Sequence, residues 1–249
     1  MNPDLTAERV ALISGAAQGM GAACARRLAG SGYKLVLFDL RPEPLDALAA
    51  GLSAAGADVV TVTGDVRAPQ ASVDAALEAF GRLDVLVNAA GILYGGSALD
   101  ISADEWDRVL GVNLTGAFLI SQCALPPMLD RGWGRIIHFS STAGKTNSTL
   151  GGAHYTASKH GVLGIVRSMA VEFAPRGVTV NAVCPGLIDT EMVRSSIPPD
   201  RAAQIAASFP AGRLGEPGEV AELVAVLASE RSGYNTGAAF DITGGDLVV

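Results

Sequence analysis

Residues 9–21 read Arg-Val-Ala-Leu-Ile-Ser-Gly-Ala-Ala-Gln-Gly-Met-Gly, and this stretch decides the fold. Residues 9–14 form a short apolar run of the kind that makes a strand buried on both faces. Gly15, Gly19 and Gly21 follow at Gly-x3-Gly-x-Gly spacing, and small and apolar residues recur at helical spacing from residue 19 to 29. Glycine lets a backbone take φ > 0 and lets a pyrophosphate approach without meeting a Cβ. The helix that follows points its free N–H groups and positive dipole end at such an anion. The spacing is not the GxGxxG of the ordinary dinucleotide fingerprint. The alternative is a glycine-rich turn that merely lets a helix pack close.

The alternation continues along the chain. Residues 34–39, 58–63, 84–88, 135–140, 179–183 and 238–242 are further strand-length runs. Residues 42–55, 72–80, 102–128, 155–174 and 219–228 carry helical periodicity between them. Ser102 to Glu105 has capping-box form, a hydroxyl three residues ahead of a glutamate. Near-continuous apolar strands alternating with helices predict an α/β fold: a Rossmann-type, doubly wound sheet of about seven parallel strands with helices on both faces. Right-handed crossovers put its ligand crevice beyond the carboxyl ends of the strands. Gly15, Asp39, Asp65, Asn88, Ser141 and Pro185 fall at or just past strand ends and are predicted to share one rim. No linker or repeat breaks the order, so residues 1–249 read as one domain, with a proline-punctuated, mobile lid around 187–213.

Asp39 closes the second strand. A carboxylate there accepts both hydroxyls of an adenosine ribose and repels a 2′-phosphate, which predicts NAD as cofactor. Gln18 agrees, because a basic residue in the phosphate turn would favour the extra phosphate. Arg41 argues the other way and is expected to point outward. A helix-capping or solvated carboxylate is the alternative for Asp39.

The totals exclude several classes. Hydrophobic residues make up 49% and charged residues 17%, enough for a sizeable core. A net charge of −7 argues against a nucleic-acid binder, which needs a basic face. Residues 1–8 lack the basic-then-apolar order of a secretory signal, and no apolar run approaches the roughly 20 residues of a membrane span. Cys24, Cys123 and Cys184 are far apart and odd in number, which reads as reduced thiols in a cytoplasmic protein. No HExxH or paired-cysteine spacing supports a metal. His138 and His160 read as structural, and Trp106 and Trp133 as packing residues. His154 precedes Tyr155, but a neighbour on a helix points about 100° away.

Tyr155 and Lys159 stand at i and i+4, so they share one helical face. A tyrosine is a poor base at neutral pH, and a neighbouring ammonium together with a positive nicotinamide is expected to lower its pKa. With Asn113 and Ser141, these residues resemble the short-chain dehydrogenase/reductase family. The matching motifs run nearly the whole chain: SGAAQGMG at 14–21, DV at 65–66, NAAG at 88–91, Asn113, SSTAG at 140–144, YTASK at 155–159 and NAVCPG at 181–186. One YxxxK is weak evidence; the ordered set is specific. Ser14 replaces the usual threonine, Met20 an isoleucine, and Ala89 a frequent second asparagine.

The resemblance implies hydride transfer between NAD(H) and a secondary alcohol or ketone. Tyr155 would act as general acid–base, Lys159 would also hold the nicotinamide ribose, Ser141 would orient the substrate oxygen, and Asn113 would anchor a water in a proton relay. Gln18, Gly19, Met20 and Gly21 would join Gly15 in the cofactor site. Asp65 and Val66 would contact adenine, and Asn88, Ala90 and Gly91 the adenosine ribose and phosphates. Pro185, Gly186, Ile188 and Thr190 would border the nicotinamide. A homotetramer is implied, built on the Asn113 and Tyr155 helices and the last strand, with Leu247-Val248-Val249 at an interface. One rival is an NADPH-dependent 3-oxoacyl thioester reductase, disfavoured by Asp39 and the acidic total. The other is a non-catalytic NAD-binding sensor or scaffold, disfavoured by the intact Asn113, Ser141, Tyr155 and Lys159. The lid mixes Met192, Val193, Ile197 and Phe209 with Glu191 and Arg194, so the sequence does not name the substrate.

Overall fold

Successive residues of β1 (Val10–Ser14) are buried in two different cores, which requires a layer on each face of the sheet. Ala11 and Ile13 share a core with Ala25 and Leu28 of α1 (Gly19–Ala29), Leu45 of α2 (Pro42–Ala54) and Val224 of α9 (Pro217–Ala228). Val10 and Leu12 share the other with Val73 of α3 (Gln70–Phe80), Ile120 of α5 (Gly116–Arg131) and Val166 of α6 (Ala153–Phe173). The period of two in side-chain direction is thus apolar on both phases. The other strands are β2 (Lys34–Asp39), β3 (Val59–Thr63), β4 (Val85–Asn88), β5 (Gly134–Phe139), β6 (Val178–Pro185) and β7 (Ala239–Ile242). They lie in the order β3-β2-β1-β4-β5-β6-β7, every neighbour parallel. The fold is therefore the predicted doubly wound sheet, described by a computed structural model for residues 9–248. The expectations for residues 1–8 and for Val249 lie outside the described residues.

Register levels the carboxyl ends. Ser14 sits opposite both Phe38 and Asn88, and Asn88 opposite His138. Strand order reverses between β1 and β4, and the glycine turn after β1 stands at that switch point, where such sheets open a crevice.

The long helical region predicted over 102–128 runs without a break as α4 (Ala103–Leu110), a π turn (Gly111–Thr115) and α5, followed by Gly132 in the left-handed region (φ 64°). The extra residue of a π turn shifts the helical phase by about 100° within one turn, too local a change to stand out in a sequence pattern. This helical stretch, Ala103–Arg131, is 29 residues long and apolar enough by length and composition alone to cross a membrane, a test that the core helix of a folded domain also passes. Its apolar side has a use in the fold: Ala117, Ile120, Ala124 and Met128 are wholly buried in the second core.

A chain of buried polar groups ties the switch point together. Ser14 Oγ donates to Asn88 Oδ1 (2.6 Å), Asn88 Nδ2 donates to His138 Nδ1 (3.2 Å), His138 Nε2 meets Ser121 Oγ (3.0 Å), and Ser121 Oγ donates to the Ala117 carbonyl (2.8 Å). The direction of donation assigns the neutral Nε2–H tautomer to His138. Burial, with the nearby Lys159 charge, lowers its pKa from 6.5 to about 4. Its neutral form therefore contributes stability that is complete above pH 6.5 and is lost as pH falls to about 4. The loss should reach on the order of 3 kcal/mol by then. Urea unfolding at pH 7 and pH 4.5 should show a clearly shallower pH dependence in His138→Gln than in the parent, and equal dependences would contradict this origin.

Candidate active site

The glycine turn is shaped by what a side chain would hit. A Cβ on Gly15 (φ 68°) would lie 2.6 Å from the Ala90 nitrogen, and one on Gly21 would lie 2.0 Å from the Gly15 carbonyl oxygen. Gln18, which precedes the first residue of α1, makes no side-chain capping bond, and the first turn holds no acidic residue of its own. The orphan amides of that turn therefore face a cavity of about 380 Å³. Gly15, Gln18, Gly19, Met20, Gly21, Asp39, Asp65, Val66, Ala90 and Gly91 all line it. A bare backbone cradle beside open amides, with a carboxylate at the next strand end, fits a dinucleotide's phosphates and ribose.

The structure places two predicted features differently. Arg41 does not point outward. Its Nη1 donates to Gln18 Oε1 (2.7 Å), its Nε lies 3.6 Å from Asp39 Oδ1, and it lines the cavity. Two nearby acceptors outcompete solvent for the guanidinium. Asn88 does not line this cavity: its amide is spent in the Ser14–His138 chain beneath, while Ala89, Ala90 and Gly91 form the wall. Asp39 is fixed rather than free. Its Oδ2 accepts the Ala17 amide (3.0 Å), its Oδ1 accepts the Arg41 amide (3.1 Å), and only 11% of its side chain is exposed. Asp65 is engaged by Arg67 through several hydrogen bonds, which hold its pKa down.

A second cavity of about 550 Å³ is lined by Ser141, Tyr155, Pro185, Gly186, Ile188 and Thr190. Helices α7 (Glu191–Ser196) and α8 (Pro199–Ser208) line it with Met192, Val193, Arg201 and Ile205. Met20, Thr190 and Met192 line both cavities, so the two adjoin. Of the lid residues named from sequence, Phe209 also faces this space, whereas Arg194 is held by Asp189 (2.8 Å). The Thr190 hydroxyl caps α7 by accepting the Val193 amide at a long 3.4 Å.

Tyr155 and Ser141 are both partly buried on the wall of the second cavity. Burial pushes the Tyr155 phenol up, and the Ser141 bond opposes this only partly. The lowering expected from Lys159 is absent in this state. The ammonium lies 5.6 Å from the ring centroid and donates to the Phe139 carbonyl (2.8 Å). Burial lowers Lys159 itself from 10.5 to about 8. Asn113, in the π turn, is 2% exposed. Its Oδ1 accepts the Ile92 amide (2.8 Å), and its Nδ2 donates to the Ile92 carbonyl (2.9 Å) and to Ser158 Oγ (3.2 Å). A Cβ on Gly91 would lie 3.4 Å from Asn113 Oδ1 and 3.7 Å from Lys159 Nζ, so that glycine gives both polar groups their room. Tyr155 and Ser141 thus form the cavity surface, with Lys159 and Asn113 buried beneath.

Sequence reasoning missed several supporting groups. Ser140 Oγ donates to the Lys159 carbonyl (3.0 Å), which separates it from Ser141 and gives it a structural task. Ser158 holds Asn113 and was within reach of the spacing argument, since it sits three residues after Tyr155. Arg67 and Arg108 line the first cavity, and no local pattern marks them.

A family model described as Enoyl-(Acyl carrier protein) reductase matches residues 15–246. Oxidoreductase UcpA of Escherichia coli (strain K12) is 41% identical over 96% of this chain and 95% of its own. A 3-alpha-(or 20-beta)-hydroxysteroid dehydrogenase of Mycobacterium tuberculosis (strain ATCC 25618 / H37Rv) is 43% identical over 96% of this chain and 89% of its own. The solved structure of an actinorhodin polyketide ketoreductase with NADPH superposes with a TM-score of 0.90 at 38% identity, covering 95% of this chain and 96% of that one. The chain belongs to the short-chain dehydrogenase/reductase family of oxidoreductases, which bind a nicotinamide cofactor.

Because a Cβ on Gly21 would overlap the Gly15 carbonyl, Gly21→Ala must deform the phosphate turn. Titration by NADH fluorescence should show at least a 30-fold weaker dissociation constant; an affinity within twofold of the parent would mean that the turn does not hold the phosphates.

Proposed function

We propose that this protein is an NAD(H)-dependent oxidoreductase that interconverts a secondary alcohol and a ketone. The observation that carries the reading is the pair of hydroxyls, Tyr155 and Ser141, on the wall of a cavity that adjoins the glycine cradle. Two hydroxyls on one cavity wall can grip one oxygen, one donating and one moving a proton, as carbonyl chemistry requires.

When bound, NAD(H) would accept or supply hydride at its nicotinamide C4. The turn residues Gly15, Gln18, Gly19, Met20 and Gly21 would hold its phosphates, Asp39 the adenosine ribose, and Asp65 and Val66 the adenine. Ala90 and Gly91 would border the adenosine side, and Asn88 would act through its backbone, its amide being engaged elsewhere. Lys159 and Tyr155 would take the nicotinamide ribose, and Pro185, Gly186, Ile188 and Thr190 the nicotinamide. In reduction, Tyr155 donates its phenolic proton to the substrate oxygen while Ser141 donates a hydrogen bond to the same atom. The phenolate left behind draws the Lys159 ammonium, which exchanges protons readily with a pKa of about 8. Asn113, beneath, would anchor a relay water linking Lys159 to solvent. Oxidation runs the same transfers in reverse.

NAD is favoured over NADP because the Asp39 carboxylate is anchored by two backbone amides and cannot swing away from a 2′-phosphate. Arg41 weakens that preference without reversing it, since its guanidinium is half exposed and Asp39 is not. We further take residues 1–249 as one catalytic domain with a lid at 187–213, working in the cytoplasm as a homotetramer. Exposed Phe118 on α5 and Val171 on α6 support packing through those helices. Val248 is exposed and suits an interface contact.

A panel of secondary alcohols with NAD⁺ and NADP⁺, followed at 340 nm, should give the higher kcat/KM with NAD⁺, and Asp39→Ala should narrow the gap; better activity with NADP⁺ would refute the cofactor assignment. Tyr155→Phe should bind NADH within twofold of the parent yet lose at least about 100-fold in kcat, and retained turnover would reject the acid–base role. Since burial raises the phenol, reduction should persist through neutral pH, while oxidation, which needs phenolate, should climb into the alkaline range. A pH-independent oxidation rate between pH 7 and 10 would exclude Tyr155 as the group that titrates. Sedimentation of a stable monomer at micromolar concentration would remove the tetramer.

A further inference from the structure

Helix α6 begins two residues before Tyr155, at Ala153, and Gly152 ahead of it offers no side chain to cap the first amides. The Tyr155 N–H is one of those orphan donors. His154 takes it: the amide donates to His154 Nδ1 at 2.8 Å. The imidazole is wholly buried, and its Nε2 donates to Glu105 Oε1 at 2.7 Å. An Nδ1 that accepts and an Nε2 that donates require the neutral Nε2–H tautomer, which a carboxylate acceptor on Nε2 selects. Glu105 is itself fixed, since Ser102 Oγ accepts its amide (3.1 Å) at the start of α4. The capping box predicted there is half made: the Glu105 carboxylate reaches across to α6 instead of back to Ser102. The absence of a side chain at Gly152 leaves room for the ring, because a Cβ there would come within 2.9 Å of His154 Cε1.

We infer that His154 and Glu105 form a positioning pair that clamps the first turn of α6 and holds the Tyr155 phenol in register with Ser141 and Lys159. Neither touches the second cavity, so the pair acts through Tyr155 and not on substrate. Without it, the frayed end of a helix would carry the proton-transferring residue, and displacements near 1 Å are enough to slow catalysis many-fold. The activity arm of its test rests on the oxidoreductase reading proposed above; the hydrogen-exchange arm does not.

Glu105, about one-third exposed, is the variant least able to disturb folding. In the full-length protein, Glu105→Ala should lower kcat about tenfold while NADH affinity and substrate KM stay within twofold, and Glu105→Gln, which keeps an acceptor for Nε2–H, should restore at least half of the turnover. His154→Ala should match Glu105→Ala, and the double variant should be no worse than either alone, because the two act as one unit. By mass spectrometry, amide exchange in the peptide carrying Tyr155 should speed at least tenfold in Glu105→Ala, whether or not a substrate has been found. Unchanged kcat, losses that add in the double variant, an equal loss of NADH affinity, or unaltered exchange at Tyr155 would each overturn the inference.

Discussion

An ammonium buried without a counter-charge organises this site. Lys159 is 5% exposed, and among the described residues its ammonium makes one hydrogen bond, to the Phe139 carbonyl, and no ion pair. Such a charge is costly to bury and is held in readiness for a negative partner. Its lowered pKa, the neutral state of His138 nearby and the close approach of Gly91 all follow from keeping that one cation dry and surrounded by dipoles. The phenol of Tyr155 is then the natural place for negative charge to develop, since Lys159 stands one turn away. Lys159 and Tyr155 do not neutralise each other beforehand, because burial disfavours the charged form of each.

The order of strands and the position of the rim were legible because they rest on local signals. An apolar run, a glycine turn and a helix in succession leave few ways to bury both faces of a strand. The same locality explains the misses. The direction of Arg41 depends on Gln18, 23 residues earlier, and on the geometry of Asp39. The engagement of Asn88 depends on Ser14 and His138, which meet it only once β1, β4 and β5 are in register. Asn113 in the π turn meets the Ile92 backbone 21 residues earlier, and Glu105 is diverted by a histidine 49 residues away. Sequence patterns identify which residues carry chemistry. They do not identify the residues that aim them, because aim is a property of contacts between elements.

The total charge was a similarly coarse guide. A net −7 argues against a basic surface, yet three guanidinium groups, Arg41, Arg67 and Arg108, line the first cavity. Asp39, Asp65 and Glu191 line it too, so the local field is balanced and selectivity rests on which of these groups can move. Asp39 is pinned by backbone amides, whereas the half-exposed Arg41 is held only by side-chain atoms, Gln18 Oε1 and Asp39 Oδ1. A fixed charge discriminates more sharply than a mobile one, since a mobile group can retreat from an unfavourable ligand at little cost.

The same distinction between fixed and mobile groups separates reaction from substrate. Tyr155, Ser141, Lys159 and Asn113 are set on strand ends and helices whose other faces are packed in the two cores, and their partners are backbone atoms or buried side chains. The walls that a substrate would meet beyond Tyr155 are different. Met192, Val193, Arg201 and Ile205 come from two short helices that contribute no fully buried residue, and Arg201 has no acidic partner among the described residues. Chemistry conserved by packing and recognition delegated to weakly packed helices is an arrangement that lets the wall change without moving the reacting groups.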